Sequence, residues 1–182
     1  MLEKIISGGQ TGADQGGWWA ARAAGVATGG WMVGNFWTEE GDRPEFATEY
    51  GASVLPGVNH LRFGVQLRRR AEANVQMADG TVCFDEIGSN ATANAESDCR
   101  WLDRPFRCVS LKRNPFGRLG VTNGSHSPND IAAWIIESGI RTLNVAGNRE
   151  SKAFGIGAFV ESYLSEVLRL LDAVGHLQRS ES

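Results

Sequence analysis

The sequence predicts an α/β protein built as one doubly wound domain, with a mostly parallel sheet of about five strands and helices on both faces. Three observations lead there. Short β-branched runs alternate with longer helical patterns along the chain. The 23 glycines fall mainly at the ends of the strand-like runs, where a backbone must turn tightly or let a ligand approach. At 182 residues the chain is long enough for one domain with a substantial core.

The elements follow in order. Residues 4–7 read as a first strand, Gly8–Gly12 as a turn, and 13–24 as an alanine-rich helix closed by Gly25. Residues 26–28 form a short second strand that ends in Gly29-Gly30. From Trp31 to about Leu61, glycine and proline interrupt any period, which predicts a long ordered loop. A helix over 65–77 precedes a strand over 81–84, and Gly88-Ser89-Asn90 precedes a helix over 92–102. Residues 106–111 make the next strand, and 114–123 are turn-rich. Ser127-Pro128-Asn129-Asp130 starts a helix, with serine at the N-cap and proline at the first position. A last strand over 142–146 leads to the final helix, whose Ile156, Phe159, Val160, Tyr163, Leu164, Val167, Leu168 and Leu171 share one face at a 3.6-residue period. The domain is expected to run from 1 to 175, with 176–182 a flexible polar tail.

Composition narrows the function. A formal net charge of −3 lacks the basic excess of a nucleic-acid binder. Three cysteines without CxxC or Cys/His spacing favour a reducing compartment over a disulfide framework and suggest no metal site. The N-terminus has no signal-peptide layout and no apolar run is long enough for a membrane, so a cytoplasmic protein is expected.

Three loops could carry chemistry. The first is Ser7-Gly8-Gly9-Gln10-Thr11-Gly12-Ala13-Asp14 between strand and helix, where backbone N–H groups and glycines suit an anion. It is neither GxGxxG nor GxxxxGK[ST], so the dinucleotide and P-loop patterns both fail. Asp14 would repel a phosphate beside it and suits a sugar hydroxyl or a ring N–H better. A tight turn without a ligand accounts equally well for this loop alone. Gly88-Ser89-Asn90-Ala91-Thr92 and Asn144–Lys152 are similar in character, the latter with Gly147, Asn148, Arg149, Glu150 and Ser151. All three follow strands, and ligands of open α/β sheets sit beyond the carboxyl ends of strands. Among the tryptophans, Trp31 after Gly30 is the candidate for stacking on a planar ring. Arg68-Arg69-Arg70 reads as a solvated helix face from which one of the three could reach a phosphate. His60, His126 and His176 carry no ligand or triad spacing.

Four stretches together resemble the molybdenum cofactor carrier family of the SLOG superfamily. They are Ile6–Asp14, Thr28-Gly29-Gly30-Trp31, Asn74-Val75 with Asp79-Gly80-Thr81, and Leu143–Gly147 through Arg149-Glu150-Ser151, in the family's order. Arg70 falls where the family usually carries arginine, which makes it the candidate for a phosphate among Arg68, Arg69 and Arg70. Gln15, Trp19 and Ala78 depart from the family's basic residue, acid and serine. The resemblance implies a Rossmann-like fold, a glycine-lined anion pocket, frequent homo-oligomers, and molybdenum cofactor or a nucleotide derivative as ligand, with no catalytic metal. It points to a carrier or sequestering protein for a phosphate-bearing small molecule. The alternative is a nucleotide N-glycoside hydrolase like the cytokinin-activating phosphoribohydrolases. Those pair two glycines with a glutamate three residues after a threonine, whereas Glu96 stands four after Thr92, about 100° out of helical phase.

Overall fold

The structure is a computed structural model that describes residues 1–86 and 91–180, with only the backbone of 91 and 92. Strand β1 (Lys4–Ser7) turns through Gly8–Gly12 into α1 (Ala13–Ala23), and β2 (Ala27–Met32) lies parallel beside β1. A two-residue-armed hairpin of β3 (Trp37–Thr38) and β4 (Gly41–Asp42) follows, then the single turn α2 (Phe46–Glu49) and β5 (Ala52–Val54). The chain continues with α3 (Phe63–Met77), β6 (Gly80–Glu86), α4 (Ala91–Trp101) and β7 (Phe106–Arg113). It ends with β8 (Leu119–Val121), α5 (Pro128–Glu137), β9 (Thr142–Gly147) and α6 (Ile156–Ala173).

The sheet order is β5-β2-β1-β9-β6-β7-β8, parallel throughout except for β8. From β1 the chain steps outward through β2 to β5, crosses by α3 to β6, and steps outward the other way to β8. The crossover through α5 then returns it to the centre as β9. The winding therefore reverses around β1, β9 and β6, and their carboxyl ends frame the crevice where such sheets bind ligands. Helices α1, α5 and α6 pack together on one face, with α3 and α4 on the other.

The sheet has seven strands where about five were expected. Strands β5 and β8 have three residues each, too short for a two-residue period to show, and form by pairing on the edges of β2 and β7. The 31–61 segment is likewise not one loop: β2 runs on to Met32, and the segment holds the hairpin, α2 and β5. Its aromatic residues build a second core in which Trp18 stacks on Tyr50 (centroids 4.5 Å apart) and meets Phe46 edge-on. The main core lies between the sheet and α6, which buries Ile156, Val160, Tyr163, Leu164, Val167, Leu168 and Leu171. Helix α5 begins with the expected capping box: Ser127 Oγ accepts from Asp130 N, and Asp130 accepts from Ser127 N. The segment expected as a polar tail hydrogen-bonds to the amino end of the sheet: Gln178 N donates to Leu2 O at 2.8 Å and Ser180 N to Gly25 O at 2.7 Å. Among the described residues no helix is long and apolar enough to cross a membrane.

Two glycines let the central strands close up beneath the crevice. A Cβ on Gly30 (φ 129°) would lie 2.0 Å from Ser7 O, and one on Gly147 (φ 155°) would lie 2.2 Å from Phe84 O.

Candidate functional site

A cavity of about 270 Å³ opens at the carboxyl edge where the winding reverses. Its charged wall is Asp14 from the first turn of α1, Arg70 from α3 and Arg149 from the loop after β9. Gly8, Gln10 and Gly147 line it from the expected site set, joined by the amides of Asn74, Asn94 and Asn144.

Arg70 is the central feature. Its guanidinium lies over Gly8, where a Cβ would be 1.1 Å from Nη1, so only a bare glycine leaves room for it. Nη1 donates to Asp14 Oδ2 at 3.2 Å, and both side chains are largely removed from solvent. Burial pushes the Asp14 carboxyl above its ordinary range while Arg70 pulls the other way. Burial also lowers Arg70, with Asp14 opposing and the positive charge of Arg149 adding to it. In both groups desolvation outweighs the pairing, as expected for a buried ion pair held by one hydrogen bond. The Nε of Arg70 is buried and has no hydrogen-bond partner. Two guanidiniums against one carboxylate leave the described wall with an excess positive charge.

The other two arginines of the run are spent elsewhere. Arg68 makes a two-pronged pair with Asp98 that ties α3 to α4, and Arg69 pairs with Glu72 at 3.1 Å on the surface.

The first loop offers fewer backbone donors than its letters suggest. Gly9 N donates to Ser7 Oγ, Gln10 N to Asp14 Oδ2, and Ala13 N to Asn148 O. Gly9 and Gly12 are fixed by crowding. A Cβ on Gly9 would press on Met32 and Trp18, and one on Gly12 on the backbone of Asn148 and Glu150. Thr11 joins the two loops, accepting from Glu150 N at 3.3 Å and donating to Glu39. Asn148 clamps β6, its Oδ1 accepting from Glu86 N at 2.7 Å. Glu150 caps α6, accepting from Gly155 N and Gly157 N. Ser151 donates to Glu39 from both N and Oγ. Thus Gly9, Thr11, Gly12, Asn148, Glu150 and Ser151 build the loops around the cavity without lining it. Gly30 and Trp31 also stand off it. The Trp31 main chain is held by Asn74, which accepts from Trp31 N at 2.7 Å and donates to Trp31 O at 3.1 Å. Gly88, Ser89, Asn90 and the side chain of Thr92 lie outside the described residues.

The hairpin contributes what the sequence did not reveal. Glu39, at its tip, bridges the first and last loops through Thr11 and Ser151. Trp37 packs edge-on against Phe63 of α3, carries the Arg149 guanidinium 5.5 Å above its ring, and accepts from Gln10 Nε2 at 2.8 Å through its carbonyl. Nothing local marks Glu39, since its partners lie 28 and 112 residues away. Asn144 and Asn74 could have been found, since both stand in stretches that carry the family resemblance.

The fold and site define a Rossmann-like domain with an arginine-walled pocket at the switch point of its sheet. The chain belongs to the circularly permutated YpsA SLOG family, whose model matches residues 5–168. It is also similar to a crystal structure from Syntrophus aciditrophicus SB, of a protein named "Putative molybdenum carrier protein". The TM-score is 0.70 at 27% identity, covering 92% of this chain and 95% of that one. Among curated proteins none matches.

Proposed function

We propose that the chain binds a small phosphate-bearing molecule in the Asp14–Arg70–Arg149 cavity and acts as its carrier or sequestering protein. The supporting observation is Arg70, a buried guanidinium with an unpaired Nε, close to a second guanidinium and opposed by a single carboxylate. A buried cation in that state is relieved by an anion, and phosphate accepts the paired N–H groups of guanidinium well. The carrier name of the similar structure makes molybdenum cofactor one candidate, and a nucleotide derivative is the other. Both combine phosphate with a planar heterocycle that offers polar edges, which the Asn94 and Asn144 amides suit. The residues fit the phosphate end of the cofactor, and no group of His, Cys, Asp or Glu that could hold a metal occurs among the described residues. At about 270 Å³ the cavity is near the lower bound of ligand pockets, so it takes the phosphate-bearing end of a larger molecule. Gly88, Ser89, Asn90 and Thr92 stay within this proposal as the third loop of the site, and self-association stays within it as the family's habit.

The hydrolase reading assigns the carboxylate at the sugar to Glu96, since Asp14, which lines the cavity, is paired with Arg70 at 3.2 Å. Glu96 is exposed and paired with Arg100 at 3.0 Å, and it does not line the cavity. The carrier reading is therefore the better supported.

Native mass spectrometry of the purified protein tests for a retained small molecule. Arg70→Ala and Arg149→Ala should each weaken binding of that molecule roughly tenfold to a hundredfold, the worth of a charge-assisted hydrogen bond. Retention undiminished in both variants would place the ligand elsewhere.

A further inference from the structure

We propose that Gln10 selects the ligand, admitting best a phosphate-bearing molecule that also presents an O–H or N–H donor to Gln10 Oε1. The inference rests on the reading of the cavity as a phosphate site and adds a second requirement to it.

Gln10 is 3% exposed and lines the cavity. Its Nε2 donates to Trp37 O at 2.8 Å. A main-chain carbonyl can only accept, so the amide cannot turn over without losing that bond, and Oε1 is fixed as an acceptor. That oxygen is buried and has no partner. Most buried polar atoms in folded proteins are paired, and an exception beside a cavity calls for a partner that binding brings.

The anchor for this acceptor is itself held on several sides. Trp37 N donates to Val33 O at 3.0 Å, its ring packs on Phe63, and Arg149 lies over the ring. Glu39, two residues on, latches the hairpin to Thr11 and Ser151. Gln10 Oε1 is thus presented by a rigid support, which makes an amide selective rather than adaptable.

Two residues of the cavity wall then carry unmet demands. Arg70 Nε needs an acceptor and Gln10 Oε1 needs a donor. A phosphate monoester without other polar groups answers the first alone. A phosphorylated sugar, or a phosphorylated heterocycle with a ring N–H, answers both. Sites with a committed hydrogen-bonding group discriminate strongly against analogues that lack the partner.

The test uses small phosphates of similar size at about pH 8, where monoesters are dianions because their second pKa is about 6. Calorimetry on the intact protein should show glycerol 3-phosphate or ribose 5-phosphate binding roughly tenfold tighter than n-propyl phosphate, the worth of one hydrogen bond. In Gln10→Leu the preference for the hydroxylated compounds over propyl phosphate should disappear, and a preference kept at roughly tenfold would overturn the role of Gln10. Equal affinities of all three for the unmodified protein would overturn the role of Gln10 and leave the phosphate site standing. Failure of all three to bind would overturn the phosphate site, and this inference with it. The comparison on the unmodified protein needs no variant, so misfolding of Gln10→Leu would not remove the test.

Discussion

Gly8→Ala is a one-atom probe of the site. The Gly8 backbone lies outside the left-handed region, so alanine brings no backbone strain there. The new Cβ would fall 1.1 Å from Arg70 Nη1, 2.3 Å from Cζ and 2.9 Å from Asp14 Oδ2. The guanidinium must leave, and its 3.2 Å bond to Asp14 breaks. Breaking a buried ion pair costs about 3–5 kcal/mol. We expect about 3 kcal/mol here, because the displaced guanidinium can settle into the adjoining cavity and keep part of its attraction for Asp14. Arg70→Ala should cost a similar amount. In the Arg70→Ala background, however, the nearest neighbour left to the Cβ is Asp14 Oδ2, a side-chain end at 2.9 Å that can give by a few tenths of an ångström, and the added cost should be about 1 kcal/mol or less. Urea unfolding of the wild type, both single variants and the double variant would then show a coupling of about 2 kcal/mol. Additive costs, with coupling below about 0.5 kcal/mol, would refute the placement of Arg70 over Gly8.

Three further outcomes follow from the same geometry. Acidification should tighten sulfate binding, because burial raises Asp14 and protonation there removes the single carboxylate among the described lining residues; Asp14→Asn should bind sulfate with a flat profile, and matching profiles in calorimetry would exclude Asp14 as the titrating group. Burial pushes Glu39 upward, but the hydrogen bonds from Ser151 and Thr11 and the charge of Arg149 outweigh it and hold the carboxyl low. Its contribution is therefore present above the ordinary glutamate pKa and is lost as pH falls through the lowered value. Glu39→Ala should speed hydrogen exchange of residues 37–42 while leaving the amides of α6 protected, and unchanged exchange in the hairpin would count against the latch. Leu164→Ala should cost about 2–5 kcal/mol in urea unfolding, since the side chain is fully buried in the main core; a cost under about 0.5 kcal/mol would contradict that packing.

The elements that announced themselves were those with a local cause. Helix α6 shows its apolar stripe over eighteen residues, α5 shows its capping box, and β1 runs into a glycine turn before α1. Strands β5 and β8 and the hairpin arms are two or three residues long and owe their form to the strand beside them. The site divides in the same way. Gly8, Gln10, Asp14, Gly147 and Arg149 could be picked out as candidates by type and position and Arg70 by the family resemblance, and the fold brings all six to one cavity. Trp31 was the candidate aromatic, yet Trp37 stands beside Arg149, because the turn after β2 leads the chain into the β3–β4 hairpin that begins at Trp37.

By itself, then, the sequence determined the alternation of strand and helix, the glycine turns at strand ends and the SLOG kinship. Those depend on neighbours within a few residues or on motifs kept in order. The tertiary structure alone decided how each polar side chain is used. Asn148 and Glu150 have the composition of ligand-binding residues, but their bonds go to Glu86 N and to the start of α6. Arg68, Arg69 and Arg70 are three identical letters, and only the last faces the cavity. A donor or acceptor takes whichever partner the fold brings within about 3 Å, and that partner can stand anywhere in the chain.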